Sequence, residues 1–313
     1  MSVPRQERSK SSALSSIPPE NLLIGVPKKG RLHEQCIKLL VEGAGLDYRR
    51  PDRVDIAHCK DVPVSLVFLP AHDIATYVSE GNVDMGITGQ DVIAETEASC
   101  EHLETVVELG FGKCQLAVQG PVAHNITDVA SLAGKRIVTS FPVVAEQFFR
   151  KYETEATGKT KIKFVSGSVE AACQLGLADG IVDLVETGTT MRAAGLEIVE
   201  KIMDTQAVLI KNKKALHPEL IERITRRIHG HFTATKYMMI QYNVRRDALD
   251  KAIVVTPGKR SPTITNLDDK VSAPARNPEP QALKVVATAS LTSAGGCIWR
   301  SSTVAIGHGE CFR

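Results

Sequence analysis

The chain has 313 residues, 43% hydrophobic and 24% charged, enough to bury about two globular domains without disulfide staples. Lys and Arg total 38 against 36 Asp and Glu, and aromatics reach only 4%, which argues against a general nucleic-acid binder and against stacking platforms for single strands. No apolar run approaches the roughly 18 residues of a membrane span, and seven irregularly spaced cysteines without a CxxC pair read as reduced thiols of a cytoplasmic protein.

Residues 1–19 are rich in Ser and basic residues, lack an apolar signal region, and read as a disordered leader. NLLIGVP from Asn21 reads as a strand. KKGRL then leads into a helix, HEQCIKLLVEGAG, stopped by glycine. VDIAH and VSLVFLP follow as strands, AHDIATYVSEG as a short helix, and NVDMGITG as a buried strand. The alternation continues with strands CQLAVQG and RIVTSFP, the helix VAEQFFRKYETEATG, the strand KIKFVSG, the helix SVEAACQLGLADG and the strand IVDLVETG. TQAVLIK reads as a strand and PELIERITRRIHGHFTATK as a long helix. A final strand–helix–strand run, KYMMIQYNV, RRDALDKAIVV and SPTITNL, opens a small α+β module. Strands alternating with helices imply layered α/β architecture. After Lys270 the composition turns to Ala, Ser, Gly and Pro, and residues 271–313 read as an aberrant, disordered tail.

The strongest chemical signal is Asp183-Leu-Val-Glu186-Thr187-Gly188-Thr189-Thr190. A buried strand ends in an acid, and a Thr/Gly loop then enters a helix. Phosphate binding needs outward N–H groups, little side-chain bulk and a helix start, and this loop supplies all three. Asp183 and Glu186 are suited to ribose hydroxyls, so the loop reads as a sugar-phosphate cradle. The competing reading is an ordinary N-cap. The second signal is Lys28-Lys29-Gly30-Arg31 at the carboxyl end of the first strand, where open α/β sheets bind ligands. Its cations suit phosphates, and the alternative is a solvated turn. Weaker candidates are Gly86 to Gly89, for close backbone approach to a ligand, Ser166 to Glu170 at a helix start, and Arg136 with Thr139 and Ser140 at a strand end. Arg53 and Asp73 follow strands; for each of these the plain alternative is a surface role. His229 and His231 lack further ligands at metal spacing.

In order, PKKGRL, VFLPAHDI, DMGITG, FGKCQL, RIVTSFP, IKFVSGSVEAA, IVDLVETGTTMRAAGL and PGKRSPTI resemble the ATP phosphoribosyltransferase family in its long, fungal-type form, over about residues 21–270. The resemblance implies two α/β catalytic lobes like periplasmic binding proteins. The first, discontinuous, spans 20–114 and 203–230, and the second, with the phosphoribosyl loop, spans 115–202. It implies an ACT-like regulatory module, here partial, over 231–270. It further implies Mg²⁺, carried mainly by substrate phosphates with no protein ligand assigned, and homo-oligomers from dimer to hexamer.

For the family reaction, adenine N1 of ATP attacks C1 of phosphoribosyl pyrophosphate and pyrophosphate leaves, the first step of histidine biosynthesis. The resemblance implies Lys28, Arg31, Glu170 and Asp183 as catalytic. It implies Gly30, Arg53, Asp73, Gly89, Thr139, Glu186, Thr187, Gly188, Thr189 and Thr190 as substrate-binding. Histidine is the family's feedback inhibitor, and the altered tail predicts weak or absent inhibition here. The alternative is a non-catalytic anion-binding or regulatory subunit of the same two-lobed fold. No nucleic-acid or membrane partner is expected.

Overall fold

The computed structural model describes residues 17–50, 54–96, 101–256, 261–266 and 282–290. The chain divides into two compact units, 1–227 and 228–313. Within the first unit, two sheets form two lobes. Lobe I opens with β1 (Leu22–Pro27), whose residues are all buried, and α1 (His33–Lys38), which runs into a π-turn over Leu39–Gly43. It continues with β2 (Ile56–His58), β3 (Val64–Leu69), α2 (Ala71–Ser79), β4 (Met85–Gly89), α3 (Gln90–Thr96) and β5 (Leu103–Glu108).

Lobe II holds β6 (Cys114–Pro121), β7 (Arg136–Thr139), α4 (Pro142–Phe149), β8 (Lys161–Phe164), α5 (Ala171–Gln174), β9 (Gly180–Val185), α6 (Thr189–Ala193) and β10 (Leu196–Thr205). The chain then returns to lobe I as β11 (Ala207–Asn212), followed by α7 (Pro218–Lys236).

The lobe I sheet has the order β2-β3-β1-β4-β11-β5, with β1 parallel to β3 and β4. The returning β11 lies antiparallel between β4 and β5, so lobe I is built from two stretches of chain. The lobe II sheet has the order β10-β6-β9-β7-β8, with β7 parallel to β8 and β9. Parallel strands need helical crossovers on the sheet faces, which is why both lobes alternate strand and helix. One apolar cluster runs from Ile74 and Val78 in lobe I to Ile137 and Phe149 in lobe II.

Several elements differ from the sequence expectation. The helix expected over 144–158 ends at Phe149, and hydroxyl-to-backbone bonds between Thr154 and Thr157 take over there. The helix expected from Ser168 shrinks to Ala171–Gln174 because Gly167, Ser168 and Gly176 adopt positive φ of 87°, 52° and 69°. Helix α3 and strand β5 have no counterpart in the expectation.

The second unit contains β12 (Tyr237–Arg245), α8 (Leu249–Val255), β13 (Thr263–Asn266) and β14 (Ala282–Ser290). Here the reading of 271–313 as a structureless tail needs correcting. Strand β14 lies inside it, at the centre of a sheet ordered β12-β14-β13, antiparallel to both neighbours, with Val285 fully buried. Central placement satisfies both edges of the strand, which composition alone does not reveal. The rest of that tail, and residues 1–16 of the expected leader, lie outside the described residues. Among the described residues no helix is long and apolar enough to cross a membrane.

Candidate active site

Strand β9 carries the acidic end of the site. Ile181 and Val182 are buried in the sheet, and the strand delivers Asp183 and then Glu186 toward its carboxyl end. Gly188, at φ +71°, turns the chain into α6, and glycine alone adopts that conformation without cost. The Thr187 and Thr189 hydroxyls lie 3.0 Å apart, and Arg192 Nη2 donates to the Thr187 carbonyl at 2.9 Å. Thr187, Thr189 and Thr190 are exposed, as an anion-receiving loop requires.

Asp183 is half-buried, and desolvation pushes its carboxyl up to about 6. Glu170, at the start of α5, adds to the rise, while the Leu184 N–H, 2.8 Å from Oδ1, and Arg31 oppose it. Two carboxyls therefore sense each other beside the phosphate-type loop, with Arg31 within electrostatic reach.

The basic turn follows β1. The Lys28 N–H donates to the Leu69 carbonyl at 2.7 Å, which fixes the turn to β3. Lys28 Nζ pairs with Asp55 at 2.8 Å, and Arg50, stacked 3.8 Å over Phe68, reaches the same carboxylate at 3.5 Å. Gly30, at φ +92°, has open space where a Cβ would stand. Arg31 points to the other lobe. Its Nη1 lies 3.7 Å from Glu186 Oε2, and its Nη2 donates to Cys114 Sγ at 2.8 Å. Cys114 starts β6 just after the chain crosses between the lobes, and burial holds its thiol above the usual range despite Arg31. An open cleft of about 410 Å³ lies at this crossing, lined by Gln90, Cys114, Gln115, Glu186 and Thr205 among others.

The structure thus brings Arg31, Asp183, Glu170 and the 186–190 loop together. Other expected site residues fall elsewhere. Thr139 is fully buried; its hydroxyl donates to the Val182 carbonyl at 2.7 Å and accepts the Phe141 N–H at 2.9 Å, so it holds β7 to β9 instead of facing a ligand. At Gly89 a Cβ would come within 2.0 Å of Asp91 Oδ1, so this glycine makes room for Asp91. At Gly86 a Cβ would meet Ile74 at 2.5 Å, so its bareness serves the packing of α2. Arg136 is held by Asp179 at 2.8 Å and has the surface role. Asp73 stands exposed in the first turn of α2. Arg53 lies outside the described residues. Sequence reasoning missed Asp55, which faces Lys28, and Cys114, which faces Arg31. FGKCQL carried the second signal, although nothing local links it to the basic turn.

A family model described as ATP phosphoribosyltransferase matches residues 70–230, and one described as the HisG C-terminal domain matches 234–289. The Schizosaccharomyces pombe ATP phosphoribosyltransferase is 47% identical over 264 residues, covering 80% of this chain and 84% of its own length.

The chain belongs to the ATP phosphoribosyltransferase family.

The Saccharomyces cerevisiae ATP phosphoribosyltransferase is 45% identical over 254 residues, covering 80% of this chain and 84% of its own. A solved ATP phosphoribosyltransferase, in a HisG:HisZ complex from Thermotoga maritima, aligns with TM-score 0.55 and 26% identity, over 67% of this chain and 99% of that one. The chain is accordingly a transferase of the pentosyl class. The C-terminal match reaches residue 289 and so covers β14 as far as Ala289.

Proposed function

We propose that the cleft joins ATP to phosphoribosyl pyrophosphate. Adenine N1 attacks C1, the C1–N1 bond forms, the C1–O bond breaks, and pyrophosphate leaves with the electron pair. The observation that supports this reading is the approach of Arg31 to Glu186, which brings the basic turn of one lobe to the phosphate-type loop of the other. Two anionic substrates need two anion-receiving walls, and holding them face to face supplies much of the rate.

The 187–190 loop receives the 5′-phosphate through backbone N–H groups and hydroxyls. Asp183 accepts the ribose hydroxyls and, ionised, favours positive charge developing on the sugar. Arg31 and Lys28 face the departing pyrophosphate, Lys28 after exchanging Asp55 for substrate oxygens. The donor set suits Mg²⁺ held by substrate phosphates and one or two carboxylates, Asp183 and Glu170 being the candidates. When bound, the ion neutralises charge on the leaving group. Among the described residues no side chain in the cleft is arranged as a nucleophile beside a base, so direct displacement is the proposed course.

In this reading the protein is a cytoplasmic, oligomeric enzyme acting at the entry to histidine biosynthesis. No feature of the cleft favours the non-catalytic alternative. Calorimetry of phosphoribosyl pyrophosphate with Mg²⁺ tests the site assignment. Binding to the unmodified chain and a loss of at least about tenfold in Gly188→Val are expected, since a β-branched side chain obstructs both the left-handed turn and the N–H groups. Equal affinity in a folded Gly188→Val protein would overturn it.

A further inference from the structure

Helix α4 in lobe II begins without a cap of its own. Its N-cap position is Phe141, which has no side-chain acceptor, and its first residue is Pro142. The next N–H groups are orphans of the kind that every helix start must satisfy. They are satisfied from the other lobe. Val143 N–H donates to Glu95 Oε1 at 2.9 Å, and Val144 N–H donates to Glu95 Oε2 at 3.0 Å. Glu95 belongs to α3 of lobe I.

One carboxylate thus makes two charge-assisted bonds across the lobes, at the helix end where the macrodipole favours negative charge. The other end of α3 is tied across as well. Asp91 Oδ1 accepts from the Thr205 hydroxyl at 2.7 Å, and the Asp91 N–H donates to that hydroxyl at 3.0 Å, with both side chains buried. His72 of α2 also stacks on Phe141, with ring centroids 6.1 Å apart. Burial raises the Glu95 carboxyl above its ordinary range. The two N–H donors and His72 oppose the rise, and Glu146 adds to it.

A continuous chain of bonds links this cap to the reacting groups. The N–H of Phe141 donates to Thr139 Oγ1, Thr139 Oγ1 donates to the Val182 carbonyl, and Asp183 is the next residue. The start of α4, β7 and β9 are therefore tied to one another, so a shift of α4 carries the loop from Asp183 to Thr190 with it.

We infer that Glu95 is a positioning residue, which holds the phosphate-loop lobe in register with the basic-turn lobe by capping α4 from the other lobe. It touches no substrate in the proposed reaction. The inference rests on the phosphoribosyl-transfer reading for its kinetic consequence and on hydrogen exchange for its structural one. Glu95→Ala removes both acceptors. Glu95→Gln keeps one acceptor but brings an amide NH₂ against the other donor.

In the full chain, amide exchange at Val143 and Val144 should speed up in the order unmodified, Glu95→Gln, Glu95→Ala, while the β9 amides stay protected. In the same order, kcat/KM for both substrates should fall, by about tenfold in Glu95→Ala. Unchanged exchange at Val143 and Val144 overturns the latch. So does faster exchange with unchanged kcat/KM for both substrates, which would make the cap merely structural. If Glu95→Ala does not fold, Glu95→Gln decides on the same two readouts. If the unmodified chain shows no turnover, the transfer reading fails. The latch then stands or falls on whether the exchange at 143 and 144 rises together with that of α3.

Discussion

Arg31 Nη1 and Glu186 Oε2 stand 3.7 Å apart, one from the turn after β1 and the other from the loop after β9. Both side chains keep partial access to water, so the pair adds little to stability. Its meaning is geometric. A cation and an anion-receiving loop, distant in the chain and in different lobes, already face each other.

Removing the cation should therefore damage turnover more than folding. A charge-assisted contact is worth about 1.5–3 kcal/mol, so Arg31→Ala should lower kcat/KM by about ten- to a hundredfold with Tm nearly unchanged. Steady-state kinetics beside a thermal melt checks this. Undiminished kcat/KM would assign Arg31 to the solvent.

Asp183 gives a pH signature. Its folded-state value of about 6 lies above the ordinary 3.8, so the folded protein holds this proton more tightly than the unfolded chain. The contribution to stability is most favourable below the ordinary value, declines as pH rises through that interval, and is a full penalty above about pH 6. Asp183→Asn, which can still accept the Leu184 N–H, should stabilise the protein at neutral pH by an amount on the order of 1–3 kcal/mol, with the gain vanishing near pH 4. Activity should move the other way. kcat/KM should fall as pH drops through about 6, because the ionised form is the one that serves the ribose, and Asp183→Asn should be slow without that limb. Melts and rate profiles across this range decide both halves.

Gly89 separates a packing role from a ligand role. Gly89→Ala would drive a methyl into Asp91 and break its link to Thr205, leaving buried polar groups unpaired at a cost of about 1–3 kcal/mol. Denaturant titration should show that loss. Full stability with a raised KM would return Gly89 to the substrate site.

The second unit carries β–α–β–β among its described residues, so the module is larger than the sequence suggests. Weak histidine inhibition remains the expected outcome. Activity against histidine concentration, with mass from light scattering, tests it; strong inhibition in a stable hexamer would contradict it.

What the sequence makes legible follows local chemistry. Strands β1 and β9 are apolar runs closed by charge and glycine, and both motifs stand at their carboxyl ends as expected. Thr139 misleads, because a hydroxyl at a strand end looks the same whether it faces a ligand or the Val182 carbonyl. Glu95 gives no local sign, since its partners are N–H groups in the other lobe. Strand β14 hides in an Ala/Ser setting whose alternation is weak, and only its two neighbours make it a strand.

The most direct test of the whole account is pyrophosphate release by the purified chain with Mg²⁺, supplied with ATP alone, with phosphoribosyl pyrophosphate alone, and with both. The account predicts release only with both, matched mole for mole by ATP carrying a phosphoribosyl group on adenine N1. A folded chain that releases none with both substrates present, or releases as much with one alone, would contradict it.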